Sequence, residues 1–465
     1  VVFALYWTVA QRQLRIQNLL ILAASYFFYG WWDWRFLGLI VLSSLTDFIV
    51  GQRIADTPGQ QGKKIWLWLS LGLNLGLLGV FKYYGFFVDS FIDLFGQLGY
   101  TLPPRSLQIV LPVGISFYTF QTLSYSIDIY RGRIKPSRDL VGFLAFVSFF
   151  PQLVAGPIER ASNLLPQFSR ERQFDLEKAK DGLRLILWGL FKKVVVADGL
   201  AASVELLIGF PESYRPLEVV LGLFFFAFML YGDFSGYSDI AIGTAKVLGF
   251  DLMRNFNYPY FARDIMDFWR RWHISLTTWF RDYVFLSLPQ GNGAKGRIIF
   301  NFIVTFTLSG LWHGANWTFV TWGFLHGLYH IPYLMFPQWR TSVASTRPPF
   351  NIPGTLKAIF QTGVTWGLNL FALIFFVSPN MDHAFRLLGR IISPNIYKLP
   401  YIYVEEFGWL VLFMLVEWVQ MVQKKKHVLQ IQTWHPALRW GMYYVLVLLV
   451  LYYNYDRKAF IYFQF

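Results

Sequence analysis

The 465 residues include no cysteine, and only 15% of them are charged. Without a thiol there is no disulfide, no thiolate nucleophile, no cysteine zinc ligand and no palmitoylation site. A covalent acyl intermediate would therefore need another nucleophile. Soluble chains carry about 25% charged residues, so this one is too poor in charge to be a soluble domain of its size. A Gly-x-Ser-x-Gly elbow and a Gly-x-x-x-x-Gly-Lys phosphate loop are also missing, which argues against an ordinary serine esterase and an ATP-driven pump. No internal repeat and no domain-separating linker interrupts the chain.

What is there is apolar and aromatic. Hydrophobic residues make up 55%, with 19 Trp, 26 Tyr and 48 Phe, a composition suited to packed helix faces and interfacial belts in a bilayer. Hydrophobic runs fall near residues 14–31, 36–51, 65–87, 107–128, 184–208, 218–245, 298–318, 319–336, 357–377, 404–423 and 438–454. The expectation is an all-α, polytopic integral membrane protein with about eleven transmembrane helices, plus a re-entrant segment and interfacial helices. Val1 to Ala10 read as the tail of a hydrophobic span in an N-terminally clipped chain rather than as a signal peptide.

The net charge of +14 sits mostly in loops, where the positive-inside rule accounts for it. It implies no nucleic-acid partner, which would need a solvated basic surface. Arg53, Lys63 and Lys64 in one loop, and Arg131, Arg133, Lys135 and Arg138 two spans later, mark the cytoplasmic side. Between them lie Asp89 and Asp93 against a lone Arg105. Residues 139–157 are apolar enough to cross, yet Arg160, Arg170, Arg172, Lys178, Lys180 and Arg184 follow at once. Two prolines and a glycine in Phe150–Pro157 break a helix. A re-entrant dip returning to the cytoplasmic side satisfies both observations, provided its backbone lies against protein or water. It also brings Lys424–Lys426 inside.

Two histidines stand where a membrane protein rarely tolerates them. His273 lies among arginines and tryptophans in Asp267–Asp282, and His313 lies well inside an apolar span. A titratable group at membrane depth is costly and by default functional. A neutral imidazole is the usual base for activating a hydroxyl. Residues 254–282 hold Arg254, Arg263, Arg270, Arg271 and Arg281 with Asp264, Asp267 and Asp282, so they cannot face lipid. Read as one helix, they put Trp269, Trp272, Leu276, Trp279 and Tyr283 on an apolar stripe and Arg270, His273, Thr277 and Arg281 on another face. Asp267 is one turn from Arg271. Such a helix anchors at an interface, and its polar face is suited to lining a cytoplasm-facing cavity.

In the next span Thr305, Ser309, His313 and Asn316 form one polar stripe. Gly310 and Gly314 are a small-xxx-small pair that admits a neighbouring helix. Structurally, His313 is then an interhelical hydrogen bonder; functionally, it is a base about 22 Å along its span, towards the outer face. His326 and His330 have the spacing of a metal pair, but Gly327 stands where a zinc protease has its Glu and no third ligand is near, so no metal is expected. His383, His427 and His435 fall in expected loops. Tyr231–Asp239 places two aspartates at the end of an apolar run, to line a cavity or to cap helices and turn the chain.

Taken in order, several stretches resemble the membrane-bound O-acyltransferase (MBOAT) family, and within it the bacterial alginate O-acetyltransferase branch, related to the teichoic acid D-alanyl transfer proteins. They are Leu111–Gln121, Phe149–Glu159, Asp233–Gly243, Phe268–Leu276, Gly310–Trp317 and Phe460–Phe465. Phe280–Gly291 departs from the Leu-Arg-Asp-Tyr-Leu-Tyr-Ile-Pro-Leu-Gly-Gly usual in that branch, which touches substrate and partner identity rather than the chemistry. The resemblance implies that residues 1–465 form a single MBOAT transmembrane domain with a catalytic core at about 107–336. It also implies that His313 is the catalytic histidine and that His273 is a second one near the acyl-transfer tunnel.

The function expected is transfer of an acetyl group from a cytoplasmic thioester, acetyl-CoA, to a hydroxyl of a cell-envelope or extracellular polysaccharide. His313, neutral by desolvation, is the expected base, with His273 positioning the donor. Asn316, Ser309 or backbone donors are candidates to stabilise the oxyanion. Arg263, Arg270 and Arg271 are candidates for the phosphates of CoA. No covalently bound cofactor is expected. The implied setting is the inner membrane of a bacterium, among lipids, with an extracytoplasmic esterase-like partner and a polysaccharide acceptor. Two rivals remain: transfer of D-alanyl or another acyl group by the same mechanism, and a non-enzymatic transporter with histidines as proton relays.

Overall fold

The computed structural model describes residues 1–8, 13–104, 107, 109–339, 352–394, 404–423, 431 and 434–454. Every regular element among them is helical. Five helical stretches are long and apolar enough to cross a membrane: Leu14–Asp56, Gln60–Gln97, Pro216–Val247, Thr355–Val377 and Pro436–Tyr453. Arg105, the lysines at 424–426, His427 and the 460–465 stretch lie outside the described residues. Contacts divide the chain into two units, Val1–Leu183 with Ala241–Met253, and Arg184–Ile240 with Arg254–Phe465.

The first unit contains α1 (Val2–Thr8), α2 (Leu14–Asp56), α3 (Gln60–Leu78), α4 (Tyr84–Gln97), α5 (Ile115–Tyr130), α6 (Leu140–Val147), α7 (Ala161–Phe168) and the start of α8 (Leu176–Leu190). The runs at 14–31 and 36–51 are the two arms of α2, separated by extended backbone at Asp33 (φ −160°, ψ 108°). Asp33 pairs with Arg35 at 2.6 Å there. Helix α5 starts later than its hydrophobic run, at 115 instead of 107. Pro112 precedes it and Gly114 takes φ +77°, a conformation for which glycine is the default.

Helix α6 has eight residues, about 12 Å of rise, against the roughly 30 Å of a bilayer core. After it Phe149, Leu153 and Ala155 stay buried in irregular backbone. The Gln121 side-chain amide donates to Phe146 O at 2.8 Å and accepts from Gln152 at 3.1 Å. This is protein-backed irregular backbone, the condition set for a re-entrant 139–157. Helices α2, α3, α5 and α6 pack together around Tyr125, Phe143 and Phe146.

The second unit continues α8 through a π-helical turn (Phe191–Ala197) into α9 (Asp198–Gly209), then takes α10 (Pro216–Val247) as far as Ile240. The Tyr231–Asp239 segment neither caps nor turns; it is continuous helix. Its aspartates face lysines of the π-helical turn, Asp233 with Lys193 at 2.7 Å and Asp239 with Lys192 at 2.6 Å. The unit goes on with α11 (Ile265–Arg271), α12 (Ile274–Tyr283), α13 (Lys295–His313), α14 (Trp317–Tyr329), α15 (Ile331–Met335), α16 (Ile352–Val377), α17 (Met381–Ile391), α18 (Val404–Val422) and α19 (Pro436–Tyr453).

Helices α13 and α14 form a tight hairpin, and α14 packs on α16. A side chain on Gly310 would collide with Phe319 O and Gly323, and one on Gly323 with Phe306 O, so the close approach expected at Gly310 is present. Gly314 lies past the end of α13 and packs on the Phe319 ring instead. His383 is not in a solvated loop: it sits on α17, buried, with Nε2 3.1 Å from Ile208 O.

Candidate functional site

The 254–282 stretch is two helices, not one. Asp264 caps α11 by accepting from Asp267 N at 2.7 Å, and Asp267 pairs with Arg271 at 3.0 Å, as the spacing predicted. The helix then stops: Trp272 is extended and His273 takes φ +42°, ψ +54°. Left-handed backbone at a residue other than glycine costs on the order of 1–3 kcal/mol and persists where surroundings enforce it. Here the enforcing group is the 255–257 segment. Asn255 O accepts from Ile274 N at 2.8 Å, and Asn257 N donates to Arg271 O at 2.9 Å. The backbone groups released by the break are thereby paired.

The break turns His273 away from the stripe expected to hold it. Arg270, Thr277 and Arg281 line one cavity, while His273 is fully buried among Phe234, Phe256, Trp312 and His313. Its Nδ1 lies 3.1 Å from Asn255 Oδ1. That oxygen also accepts from Ser275 N (3.3 Å) and Ser275 Oγ (2.9 Å), and the Asn255 amide nitrogen donates to Ser238 Oγ at 3.1 Å. With the amide orientation set, Nδ1 of His273 must be the donor. Nε2 keeps its lone pair, and no hydrogen-bond partner among the described residues reaches it. Burial, and next the neighbouring His313, push the His273 pKa well below the ordinary imidazole value. The ring is neutral with a basic nitrogen exposed to its surroundings.

His313 is the last residue of α13, and only 4% of it is exposed. Its ring centroid is 6.3 Å from that of His273, 5.1 Å from Trp322 and 5.6 Å from Phe376. The expectation that the two histidines act from different depths is therefore corrected: they are neighbours, because the break after Trp272 swings His273 towards the end of α13. A proton on either ring makes a second one on the other costlier.

The polar stripe is likewise shorter than its spacing implied. Thr305, Ser309 and His313 lie on α13, but the helix ends before Asn316, which caps α14. Asn316 Oδ1 accepts from Thr318 N at 3.0 Å and its Nδ2 donates to Pro379 O at 2.7 Å. Both ends of the amide hold backbone, which takes it out of the oxyanion role.

Two cavities open among these side chains. The larger, about 470 Å³, has walls of Trp269, Phe302 and Phe306, the hydroxyl-bearing Thr305 and Ser309, and Arg270. The smaller, about 30 Å³, holds His313 together with His326, Trp322, Tyr260 and Asn369. Of the three arginines expected at a donor mouth, Arg270 lines the larger of these two cavities. Arg271 is buried in its pair with Asp267, and Arg263 is half-buried elsewhere. His326 and His330 face different cavities, so their spacing does not converge on one point. Among the described residues no group of three or more acidic or histidine side chains converges as a metal site would.

Sequence reasoning missed Asn255 and His326 as members of this site. Nothing in the spacing links Asn255 to a histidine 18 residues on through irregular chain. His326 is brought to His313 by a hairpin whose signal was the glycine pair.

Residues 134–377 match the model of the membrane-bound O-acyltransferase family, a range that contains every residue lining both cavities. A probable alginate O-acetylase of Azotobacter vinelandii is 44% identical over 314 residues, 67% of this chain and 62% of that protein. The peptidoglycan O-acetyltransferase of Helicobacter pylori is 34% identical over 405 residues, 81% of this chain and 74% of that protein. The teichoic acid D-alanyltransferase of Bacillus subtilis is 30% identical over 250 residues, 51% and 62% respectively. The chain thus spans a little under two thirds of the length of the first and third of these relatives.

Proposed function

Because the chain belongs to the membrane-bound O-acyltransferase family, we propose that it moves an acetyl group from a cytoplasmic thioester, acetyl-CoA, to a hydroxyl of a cell-envelope polysaccharide. The setting is the inner membrane of a bacterium. An extracytoplasmic esterase-like partner completes delivery to the polymer. The catalytic core follows the 107–336 stretch, with Trp366–Phe376 closing the smaller cavity. The observation that carries the reading is the pair of buried imidazoles in ring contact beside a cavity.

In this mechanism His313 is the base. It takes the proton of the acceptor hydroxyl as that oxygen attacks the thioester carbonyl carbon, and the carbonyl π pair moves to oxygen. Collapse of the intermediate expels the thiolate, which receives the proton from the His313 imidazolium; ester and thiol leave. His273 stays neutral, and its lone pair at Nε2 accepts a hydrogen bond from the reacting pair. The larger cavity takes the pantetheine arm: its walls are apolar, Thr305 and Ser309 offer hydroxyls, and Arg270 at its exposed rim suits a phosphate.

His313→Ala tests the reading. Acetyl bound to the polysaccharide should disappear while the protein still reaches the membrane in normal amount. His313→Gln, which keeps hydrogen bonding but cannot act as a base, should be equally inactive. Wild-type acetyl content in either variant would remove the base. D-alanine in place of acetyl on the product of the wild-type chain would redirect the donor and leave the base standing.

A further inference from the structure

The acyl carbonyl oxygen becomes negative during this reaction, and the donors named from the sequence do not meet it. Asn316 is engaged with backbone at both ends, and Ser309 lines the larger cavity rather than the one holding His313. Inside the smaller cavity several polar groups are also committed. The Tyr260 hydroxyl donates to Ala227 O at 2.5 Å, the Trp366 indole to Tyr260 O at 3.1 Å, and the Asn369 amide to Thr365 O at 2.7 Å.

His326 differs. Trp269 Nε1 lies 3.2 Å from its Nδ1. An indole N–H only donates, so Nδ1 must accept and carries no proton. An imidazolium has no acceptor nitrogen, so His326 is neutral and its single proton is on Nε2. No hydrogen bond among the described residues takes up that N–H, and the residue is 1% exposed and lines the cavity with His313. Both rings stand edge-on to Trp322, at 5.1 and 4.9 Å. The cavity of about 30 Å³ is large enough for one water-sized group, which is the size of a carbonyl oxygen and not of a bulk solvent pool.

We propose that His326 is a further catalytic residue, whose Nε2–H donates to the acyl carbonyl oxygen as it becomes an oxyanion in the smaller cavity. The proposal rests on His313 acting as base in that cavity. Trp269 is a positioning residue: it holds the one tautomer that presents a proton, and it does so from the wall of the larger cavity. A donor fixed in place before the reaction, in a site that excludes water, is the arrangement that stabilises developing charge most.

The test uses membranes carrying the whole chain and its native partners, with acetyl-CoA as donor and alginate oligosaccharide as acceptor. Released thiol is read against acetyl-CoA concentration, and this chain contributes no thiol of its own. His326→Phe should lower kcat about 10²–10³-fold, the usual effect of losing one oxyanion donor, with KM for acetyl-CoA unchanged. His326→Gln, which restores an N–H, should recover at least about tenfold over the Phe variant. Trp269→Phe releases the tautomer and should lower kcat about three- to tenfold, a smaller share of the same donor effect, and should add no further loss of kcat in the His326→Phe background.

Wild-type kcat in His326→Phe, or a Gln variant no better than Phe, overturns the proposal. Should the Phe variant fail to accumulate, an unchanged kcat in Trp269→Phe overturns it instead. If His313→Gln is inactive while His326→Phe runs at full speed, only this proposal falls. If His313→Gln is active, the base reading falls and this proposal falls with it, whatever His326→Phe does.

Discussion

Each unit buries a polar cluster, and the two clusters treat their hydrogen-bonding capacity in opposite ways. In the first unit Asp47 of α2 is fully buried. Its Oδ1 accepts from Ser70 and from Ser126 (2.7 Å), and its Oδ2 accepts from Asn74 (2.7 Å). Asn74 Oδ1 in turn accepts from Ser43 at 2.7 Å and Thr122 at 3.3 Å. Donors from α3 and α5 close around one carboxylate on α2. In the second unit His273 and His326 are each fastened at one nitrogen only, by Asn255 and by Trp269. Among the described residues the other nitrogen of each has no hydrogen-bond partner. A satisfied cluster holds helices together, and a cluster satisfied on one side only is equipped for chemistry.

The largest effect expected from this contrast is a crossed pair of phenotypes. His273→Gln, which fills most of the same volume, should lower kcat about 10²–10⁴-fold, the range of a lost acid–base partner, with little change in melting temperature at neutral pH. Asp47→Ala should do the reverse. It strands three donors, and interhelical hydrogen bonds in membranes average about 0.6 kcal/mol with a maximum near 1.7, so the loss is about 2–5 kcal/mol. Activity per folded molecule should hold. A detergent melting curve beside an acetyl-transfer assay checks both, and an Asp47→Ala protein that is stable but inactive would dissolve the distinction.

Next in size is the support for His273. Asn255→Ala removes the acceptor that sets its tautomer and leaves the ring itself in place. Groups that orient an active side chain are worth about 10–100-fold, and kcat should fall by that factor with KM for acetyl-CoA unchanged. The left-handed turn at His273 also loses a partner, so the variant should gain amide exchange at 272–275. Full activity would mean that packing by Phe234 and Phe256 suffices to orient the ring.

How much of this was legible in the sequence divides along a physical line. Hydropathy found the helices, because burial in lipid requires runs of apolar residues whatever the tertiary contacts. The eight-residue α6 and the irregular stretch after it followed from two prolines and a glycine. The glycine at 310 marked a close helix pair, and Asp267 with Arg271 marked a helical turn. Interruptions enforced from elsewhere were invisible. The break at His273 is held by Asn255 and Asn257, and the end of α13 at His313 puts Asn316 on a cap. Both errors came from running a helical period through a point where tertiary hydrogen bonds outweigh it. The separation expected between His273 and His313 failed for the same reason, through the break at His273.

A smaller effect should come from the hairpin. Gly310→Ala forces a methyl group against Phe319 O and Gly323, both backbone, so α13 and α14 must move apart. Overpacking of this kind costs about 1–3 kcal/mol. Because His313 lies three residues on, the variant should also lose transfer activity, and Gly323→Ala should match it. Glycines with open space around them, such as Gly296 in the same helix, should tolerate alanine in both assays. An unchanged melting temperature in Gly310→Ala would show that the hairpin is looser than its contacts imply.

The smallest expected effect is a pH dependence that only the half-satisfied cluster can produce. Burial lowers the His273 pKa below the ordinary imidazole value, about 6.5 in an unfolded chain. As pH falls below that value the unfolded chain takes up a proton and the folded protein does not. Stability contributed by this group is therefore complete above about pH 6.5 and is lost as pH drops towards the folded pKa. The neutral His273 ring itself persists below about pH 6.5, in mild acid that already lowers the melting temperature. His273→Gln cannot take up the proton in either state. Compared with this variant, the wild-type protein should lose ground in melting temperature between pH 8 and pH 5, by about the few degrees that 1 kcal/mol represents in a large protein. Curves that fall in parallel over that range would mean that His273 titrates alike in both states, and the claim that its burial keeps it neutral would go with them.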